Sequence, residues 1–269
     1  MEELRMTRLK SRVSLVVSLS DAYTGAAPVG LRDMQVQLEG IRSKAIGKSD
    51  GSYIFSDLQE GDYRLLVHAE HYFALAAPIR VDANHLIQHL SLQPLPSYPF
   101  QQGTTLIRLG LRDEAGRPVA GAQLTAAVLT EDCVKARLMQ DRAEPGTSEL
   151  AVGSLTGRIG IGDLFTLRGR GLKEVEETVR IAQVLEYQKR FLLDKPLTES
   201  YARGALLLPV AQSCSTANGE AVIALAGCRV RTFQVRLEIT PANGGNAPTL
   251  VKEVMVEEGQ ATSLGTVVV

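Results

Sequence analysis

The sequence predicts a mainly β protein: two β-sandwiches in tandem, the second interrupted by an insertion that contains an α-helix. Three observations predict it. Short runs alternate apolar and polar residues with a period of two. A proline-rich stretch, Pro94-Leu95-Pro96-Ser97-Tyr98-Pro99, divides these runs into two sets, because proline donates no ladder hydrogen bond and biases its predecessor toward extended backbone. The turn chemistry of the first set then recurs in the second, which reads as an internal duplication. The length of 269 residues suits two domains, and a composition 45% hydrophobic and 22% charged is that of a folded globular chain.

Residues 1–11 read as a tail charged with both signs, and the first sandwich is expected over 12–93. Val13, Leu15, Val17 and Leu19 alternate with Ser14, Ser18 and Ser20, giving a strand with one apolar and one wet face. Met34, Val36 and Leu38 repeat that pattern. Asp50-Gly51 supplies the positive backbone angles of a tight hairpin, with Tyr53 and Phe55 leading away from it. Glu60-Gly61-Asp62 turns into Tyr63, Leu65 and Val67, and Ile79 to Val81 and Leu86 to Leu92 supply the last strands. About seven short strands in such a span predict a sandwich.

A linker is expected over 94–103 and the second sandwich over 104–269. Ile107, Leu109 and Leu111 alternate, Asp113 to Pro118 turns, and Leu124, Ala126 and Val128 alternate again. The counterpart of the Asp50-Gly51 turn arrives only at Asn218-Gly219, followed by Val222 to Leu225, Phe233 to Ile239 and Val251 to Val256. The excess chain falls at about 131–203. Within it, 173–193 holds neither Gly nor Pro, places Leu172, Val175, Val179, Ala182 and Leu185 at helical spacing, and offers Glu176 with Arg180 and Glu186 with Arg190 as i,i+4 pairs. A helix is expected there, stopped by Pro196. Ahead of it, 156–171 is glycine-rich and reads either as an irregular hairpin or as a mobile loop.

Thr24-Gly25 with Pro28, the Met34 to Leu38 strand, Asp50-Gly51-Ser52-Tyr53-Ile54-Phe55-Ser56-Asp57-Leu58, Gly61-Asp62-Tyr63 and His71-Tyr72-Phe73 together resemble the carboxypeptidase regulatory-like family. The resemblance implies a transthyretin-like Greek-key sandwich for 12–93, and for the second repeat through Gly116-Arg117-Pro118, Gly121-Ala122 and Asn218-Gly219-Glu220. More narrowly, Asp21, Thr24, Gly25 and Pro28 followed by Asp50, Gly51, Tyr53, Phe55, Asp57 and Leu58 resemble the members associated with phage-tail-like contractile injection systems. An extra residue before Pro28 and Ser52 before Tyr53 depart from that pattern. The resemblance implies a structural component of such a particle.

A formal net charge of -1, from 29 basic and 30 acidic residues, provides no general electrostatic hold on nucleic acid or an anionic membrane. No apolar run approaches the length of a membrane span, and cytoplasmic residence is expected, with the chain assembled into a particle. Cys133, Cys214 and Cys228 lack paired spacing and read as buried thiols. His85 and His89 with Asp82 would share one side of a helix, but their segment reads as a strand, so no metal is expected. His68 and Glu70 with Arg64 read as a solvated charge ladder.

Gly160-Ile161-Gly162 and Gly169-Arg170-Gly171 match no phosphate-binding pattern, and no cofactor is expected. Hydroxyisourate hydrolases share the transthyretin-like fold, but their C-terminal Tyr-Arg-Gly-Ser has no counterpart in Gly265 to Val269; Tyr201-Ala202-Arg203-Gly204 lies inside the insertion. The chain is therefore expected to be no enzyme but a structural or adaptor subunit contacting other protein subunits or further copies of itself. A carbohydrate- or peptide-binding module is the alternative. The partner contact is expected on the broad apolar end of the helix, at Tyr187, Phe191 and Leu192.

Overall fold

The computed structural model describes residues 12–42, 44–83, 86–169, 175–225, 227–242 and 248–269. The N-terminal tail, His85 and the first two residues of the expected helix lie outside the described residues. The protein is mainly β: the described residues form strands and turns, with two short 3-10 turns at Leu31–Asp33 and Glu131–Cys133 and no α-helix. The chain divides into two compact units, residues 12–21 with 26–92, and 22–25 with 93–269.

The first unit contains β1 (Val13–Asp21), β2 (Gln35–Leu38), β3 (Ile46–Gly47), β4 (Ser52–Ser56), β5 (Gly61–His68), β6 (Leu75–Val81) and β7 (Ile87–Leu92). One sheet runs β3-β4-β1-β7 and the other β2-β5-β6. β1 is antiparallel to β4 and parallel to β7. The alternation seen in the sequence sorts side chains by face: Leu15, Val17, Leu19, Tyr53 and Phe55 are buried from the first sheet, and Leu38, Leu65, Val67, Ile79 and Val81 from the second. Each such side chain contributes about 1.5–3 kcal/mol by leaving water. Pro78 sits on β6, an edge strand, where a missing donor costs no ladder bond.

The second unit contains β8 (Thr105–Arg112), β9 (Gln123–Val128), β10 (Ala136–Leu138), β11 (Arg142–Ala143), β12 (Glu149–Gly153), β13 (Leu164–Arg168), β14 (Glu176–Glu186), β15 (Arg190–Leu193), β16 (Tyr201–Ala202), β17 (Leu206–Cys214), β18 (Glu220–Leu225), β19 (Thr232–Thr240), β20 (Leu250–Glu257) and β21 (Ala261–Val268). A three-stranded sheet, β18-β8-β21, faces the β9-β19-β20 end of a larger one. Ile107, Leu109, Leu111, Ile223 and Val267 meet Leu124, Val128, Phe233, Val235 and Leu237 in one continuous core.

The two units share a pairing pattern. β8 is antiparallel to β18 and parallel to β21, as β1 is to β4 and β7. β9-β19-β20 pair in the order of β2-β5-β6. The hydrogen bonds repeat as well. Leu19 N–H donates to Gly51 O at 3.0 Å and Leu111 N–H to Gly219 O at 2.7 Å, while Asp21 N–H donates to Ala26 O and Asp113 N–H to Arg117 O, both at 2.9 Å. Gly51 and Gly219 adopt φ of 85° and 75°. A Cβ on either would stand 2.7 Å from Leu19 O or 2.4 Å from Leu111 O, so glycine is required at both turns by conformation and by space.

The chain between β9 and β17 builds a structure of its own. β10 pairs β12, β12 pairs β15, β15 pairs β14, β14 pairs β13, β13 pairs β17 and β17 pairs β10, all antiparallel, so six strands close into a ring. Leu138, Leu150, Phe165, Leu167, Val179, Ile181, Phe191 and Tyr201 fill its core. β17 belongs to both structures: Leu206 to Val210 pairs β13, and Val210 to Cys214 pairs β9 of the sandwich. Its first residues are buried on both faces, which explains the unbroken run Leu206-Leu207-Leu208.

The helix expected over 173–193 is corrected to the antiparallel hairpin of β14 and β15. The apolar spacing that signalled it is ambiguous, because Val175 and Val179 lie an even number of residues apart and share a face in a strand as well as in a helix. Val179 and Ile181 are buried with Thr178 and Arg180 turned outward, and pairing with β13 overrides the helical signal. The ion pairs differ accordingly. Glu176 binds Arg236 and Arg168 rather than Arg180, and Arg190 binds Glu149 across the neighbouring strand rather than Glu186.

Candidate functional site

The strand register assembles one apolar row on the outer face of the first unit. Ile46 stands opposite Ile54, Ile54 opposite Val16, and Val16 opposite Ile87, so one residue from each strand of the β3-β4-β1-β7 sheet joins a line about 14 Å long at the usual strand spacing. Ile46 is 56% exposed and Ile87 57%, while Val16 and Ile54 are half-buried. The next row, Ser52, Ser18 and His89, is polar, and Ser20 and Ser91 bond each other at 3.0 Å beyond it.

The equivalent face of the second unit is built differently. Arg108 occupies the place of Val16, between Val222 and Ser263. Its guanidinium donates to Pro96 O at 3.2 Å and lies 5.9 Å above the Phe100 ring, so residues 96–100 cover this position. Pro96, Arg108, Arg112, Glu220 and Ser263 line a shallow groove of about 490 Å³ there. Where the first unit has Ile54, Val16 and Ile87 in a row, the second has Val222, the capped Arg108 and Ser263.

The residues expected to bind a partner are separated by the hairpin. Tyr187 is 70% exposed at the turn between β14 and β15, where Gln188 adopts a left-handed φ of 56°. Phe191 is fully buried in the ring's core, and Leu192, half-buried, points to the opposite side of the strand. They do not form one face, and Phe191 is inaccessible to any partner. Tyr201, in the tetrapeptide that imitates a hydrolase signature, is also fully buried. Desolvation first, then the nearby Glu177 carboxylate, pushes its hydroxyl well above the usual tyrosine range. That carboxylate is held by Thr198 N–H at 3.0 Å and Thr198 Oγ1 at 2.8 Å.

Among the described residues, no group of three His, Cys, Asp or Glu side chains is placed to hold a metal ion. His89 is exposed on β7, while its companion His85 lies outside the described residues. His68 ends β5 and, with Asp33, Gln35, Glu70 and Tyr72, lines an open depression of about 260 Å³. The motif residue Asp21 is buried: Tyr72 Oη donates to its carboxylate at 2.9 Å and accepts from Val29 N–H at 2.9 Å, tying two loops of the sandwich together.

No family model and no curated protein matches the chain. Among solved structures it is similar to a streptococcal ancillary pilin, at 10% identity and a TM-score of 0.28, over 96% of this chain and 68% of that one. It is similar to a DUF3823 family protein from Bacteroides ovatus at 12% identity and a TM-score of 0.24, over 91% and 98% of the two chains. The Bacillus anthracis TIE protein aligns at 8% identity and a TM-score of 0.26, over 96% of this chain and 50% of its own. At such TM-scores the fold rests on the strand pairing described above.

Proposed function

We propose that the chain is a non-catalytic structural or adaptor subunit of a larger protein assembly, made of two copies of one transthyretin-like Greek-key sandwich. The observation that carries this reading is the apolar row Ile46, Ile54, Val16 and Ile87, whose two ends are exposed. A line of β-branched side chains on a sheet face costs solubility when exposed, and the second unit covers the same position with its own residues 96–100. A partner subunit is the occupant that removes that cost. The Asp21-Thr24-Gly25-Pro28 and Asp50-Gly51-Tyr53-Phe55 pattern supports the narrower reading of a phage-tail-like contractile injection particle assembled in the cytoplasm.

The test expresses the parent and an Ile46→Glu, Ile87→Glu variant in cells that carry the gene and compares their sedimentation after gentle lysis. The proposal expects the parent in a large particle and the variant free, with unchanged melting of the purified chain. A parent that sediments as the free chain, or a variant that stays in the particle, counts against it. Binding to a glycan or peptide array by the free parent would favour the alternative module.

A further inference from the structure

We propose that the groove on the outer face of β8 receives the edge strand β20 of a second copy of this chain, a head-to-tail contact that adds copies one after another. The outward residues of β8 include Arg108, Gly110 and Arg112, all half-buried. The two arginines are four residues apart, about 13 Å along a strand. Gly110 lies between them, opposite Glu220 of β18 and Thr266 of β21, and a Cβ built on it meets nothing within 4 Å. This bare position opens the groove of about 490 Å³, whose lining also includes Pro96 and Ser97. Among the described residues, Arg108 donates to Pro96 O at 3.2 Å, and Arg112 to Asn218 O at 2.7 Å and Leu111 O at 3.3 Å, all main-chain carbonyls. A guanidinium has five donors, so both arginines keep donors for a carboxylate. Glu220 sets one negative charge against two positive ones, and the groove stays positive.

The matching surface is on the opposite sheet of the same sandwich. β20 ends the nine-stranded sheet and pairs β19 along one edge. Val254 and Val256 face the core, which turns Glu253, Met255 and Glu257 outward. Met255 is 63% exposed, an apolar side chain standing between two acids. Glu253 accepts from Gln234 Nε2 at 2.7 Å and Glu257 from Arg231 Nε at 3.2 Å, exposed contacts of little energetic weight. Acid, methionine, acid on β20 thus has the spacing of arginine, glycine, arginine on β8. When the strand is seated, Met255 fills the space over Gly110 and the two carboxylates meet the two guanidiniums, where paired donors suit paired oxygens. Because the two patches lie on opposite faces of one unit, the contact is heterologous and leaves a free groove at one end and a free strand at the other. It belongs to the small, transient class of interfaces, below about 1,200 Å², and is sensitive to salt.

The experiment follows the purified full-length chain by sedimentation velocity over a concentration series. In about 10 mM salt, where charges act over about 30 Å, the mean mass is expected to rise with concentration without stopping at a dimer; in about 1 M salt, where they act over about 3 Å, the rise is expected to vanish. Gly110→Leu fills the groove and Glu253→Lys with Glu257→Lys reverses the strand, so each variant is expected to stay a single chain. Mixed together they are expected to form one-to-one pairs, since one still offers an intact strand and the other an intact groove. A parent that keeps the mass of one chain at every concentration overturns the proposal, as does a rise unaffected by salt, a Gly110→Leu chain that associates like the parent, or a mixture no heavier than its parts. The contact shares no residue with the row Ile46, Ile54, Val16 and Ile87. The Ile46→Glu, Ile87→Glu chain should therefore associate as the parent does, and its failure to do so would also overturn the contact on β8.

Discussion

Replacing Gly51 or Gly219 by alanine probes the repeated turn at its most constrained atom. Each substitution forces a Cβ onto left-handed backbone, which costs about 1 kcal/mol or somewhat more. Each also drives that Cβ against a carbonyl of the neighbouring strand, at 2.7 Å from Leu19 O and 2.4 Å from Leu111 O. The strand must retreat by several tenths of an ångström, which strains the Leu19 to Gly51 or Leu111 to Gly219 bond, worth about 1 kcal/mol net. The total is about 2–3 kcal/mol at each turn. Gly25 and Gly116 are controls, with φ of 66° and 78° and nothing within 4 Å of the added Cβ. Alanine there should cost only the conformational part, about 1 kcal/mol. Urea denaturation of the four single variants, followed by circular dichroism, reads the differences. Equal losses at all four positions would refute the reasoning, because they would show that the approach to Leu19 and Leu111 contributes nothing.

Residues 1–96 are expected to fold alone, since both sheets of the first unit are complete by Leu92; a random-coil circular dichroism spectrum from that fragment would contradict this. Glu176 lies between Arg236, at 2.7 Å, and Arg168, at 3.2 Å, and its carboxyl is held below the ordinary glutamate value of 4.5, mainly by Arg236. A lowered folded pKa contributes stability above the unfolded value and loses it as pH falls through the folded one. Glu176→Gln should therefore lower the melting temperature at pH 7 and match the parent in strong acid, and a gap that persists there would argue against the ion pair. Phe191→Glu should unfold the ring at a cost of about 3–5 kcal/mol or more, whereas Tyr187→Glu should leave melting unchanged; thermal scans of both single variants check this.

The strands of both sandwiches were legible because one face of each meets water. Val13 to Leu19, Tyr53 and Phe55, Ile107 to Leu111 and Phe233 to Ile239 all alternate in the sequence and in burial. The turn glycines were legible because Asp50-Gly51 and Asn218-Gly219 stand where the register demands positive φ. The ring was not. β10, β12, β13 and β15 are short, and the four-residue step from Val175 to Val179 fits a strand face as well as a helical one, so only pairing with β13 and β15 decides between them. β21 was also missed: Ser263, Gly265 and Thr266 dilute its apolar signal, and its place beside β8 is fixed by parallel pairing with a strand about 150 residues earlier. The apolar row had no signal of its own, because Ile46, Ile54, Val16 and Ile87 become neighbours only through register.

Hydroxyl-radical footprinting of the native particle against the purified chain tests the assembly reading most directly. Side-chain oxidation is read by mass spectrometry at Ile46, Ile54 and Ile87, with the exposed Tyr187 as a second reporter. The account predicts strong labelling of Ile46 and Ile87 in the free chain and severalfold protection of both in the particle. Equal labelling of Ile46 and Ile87 in the two states would contradict it.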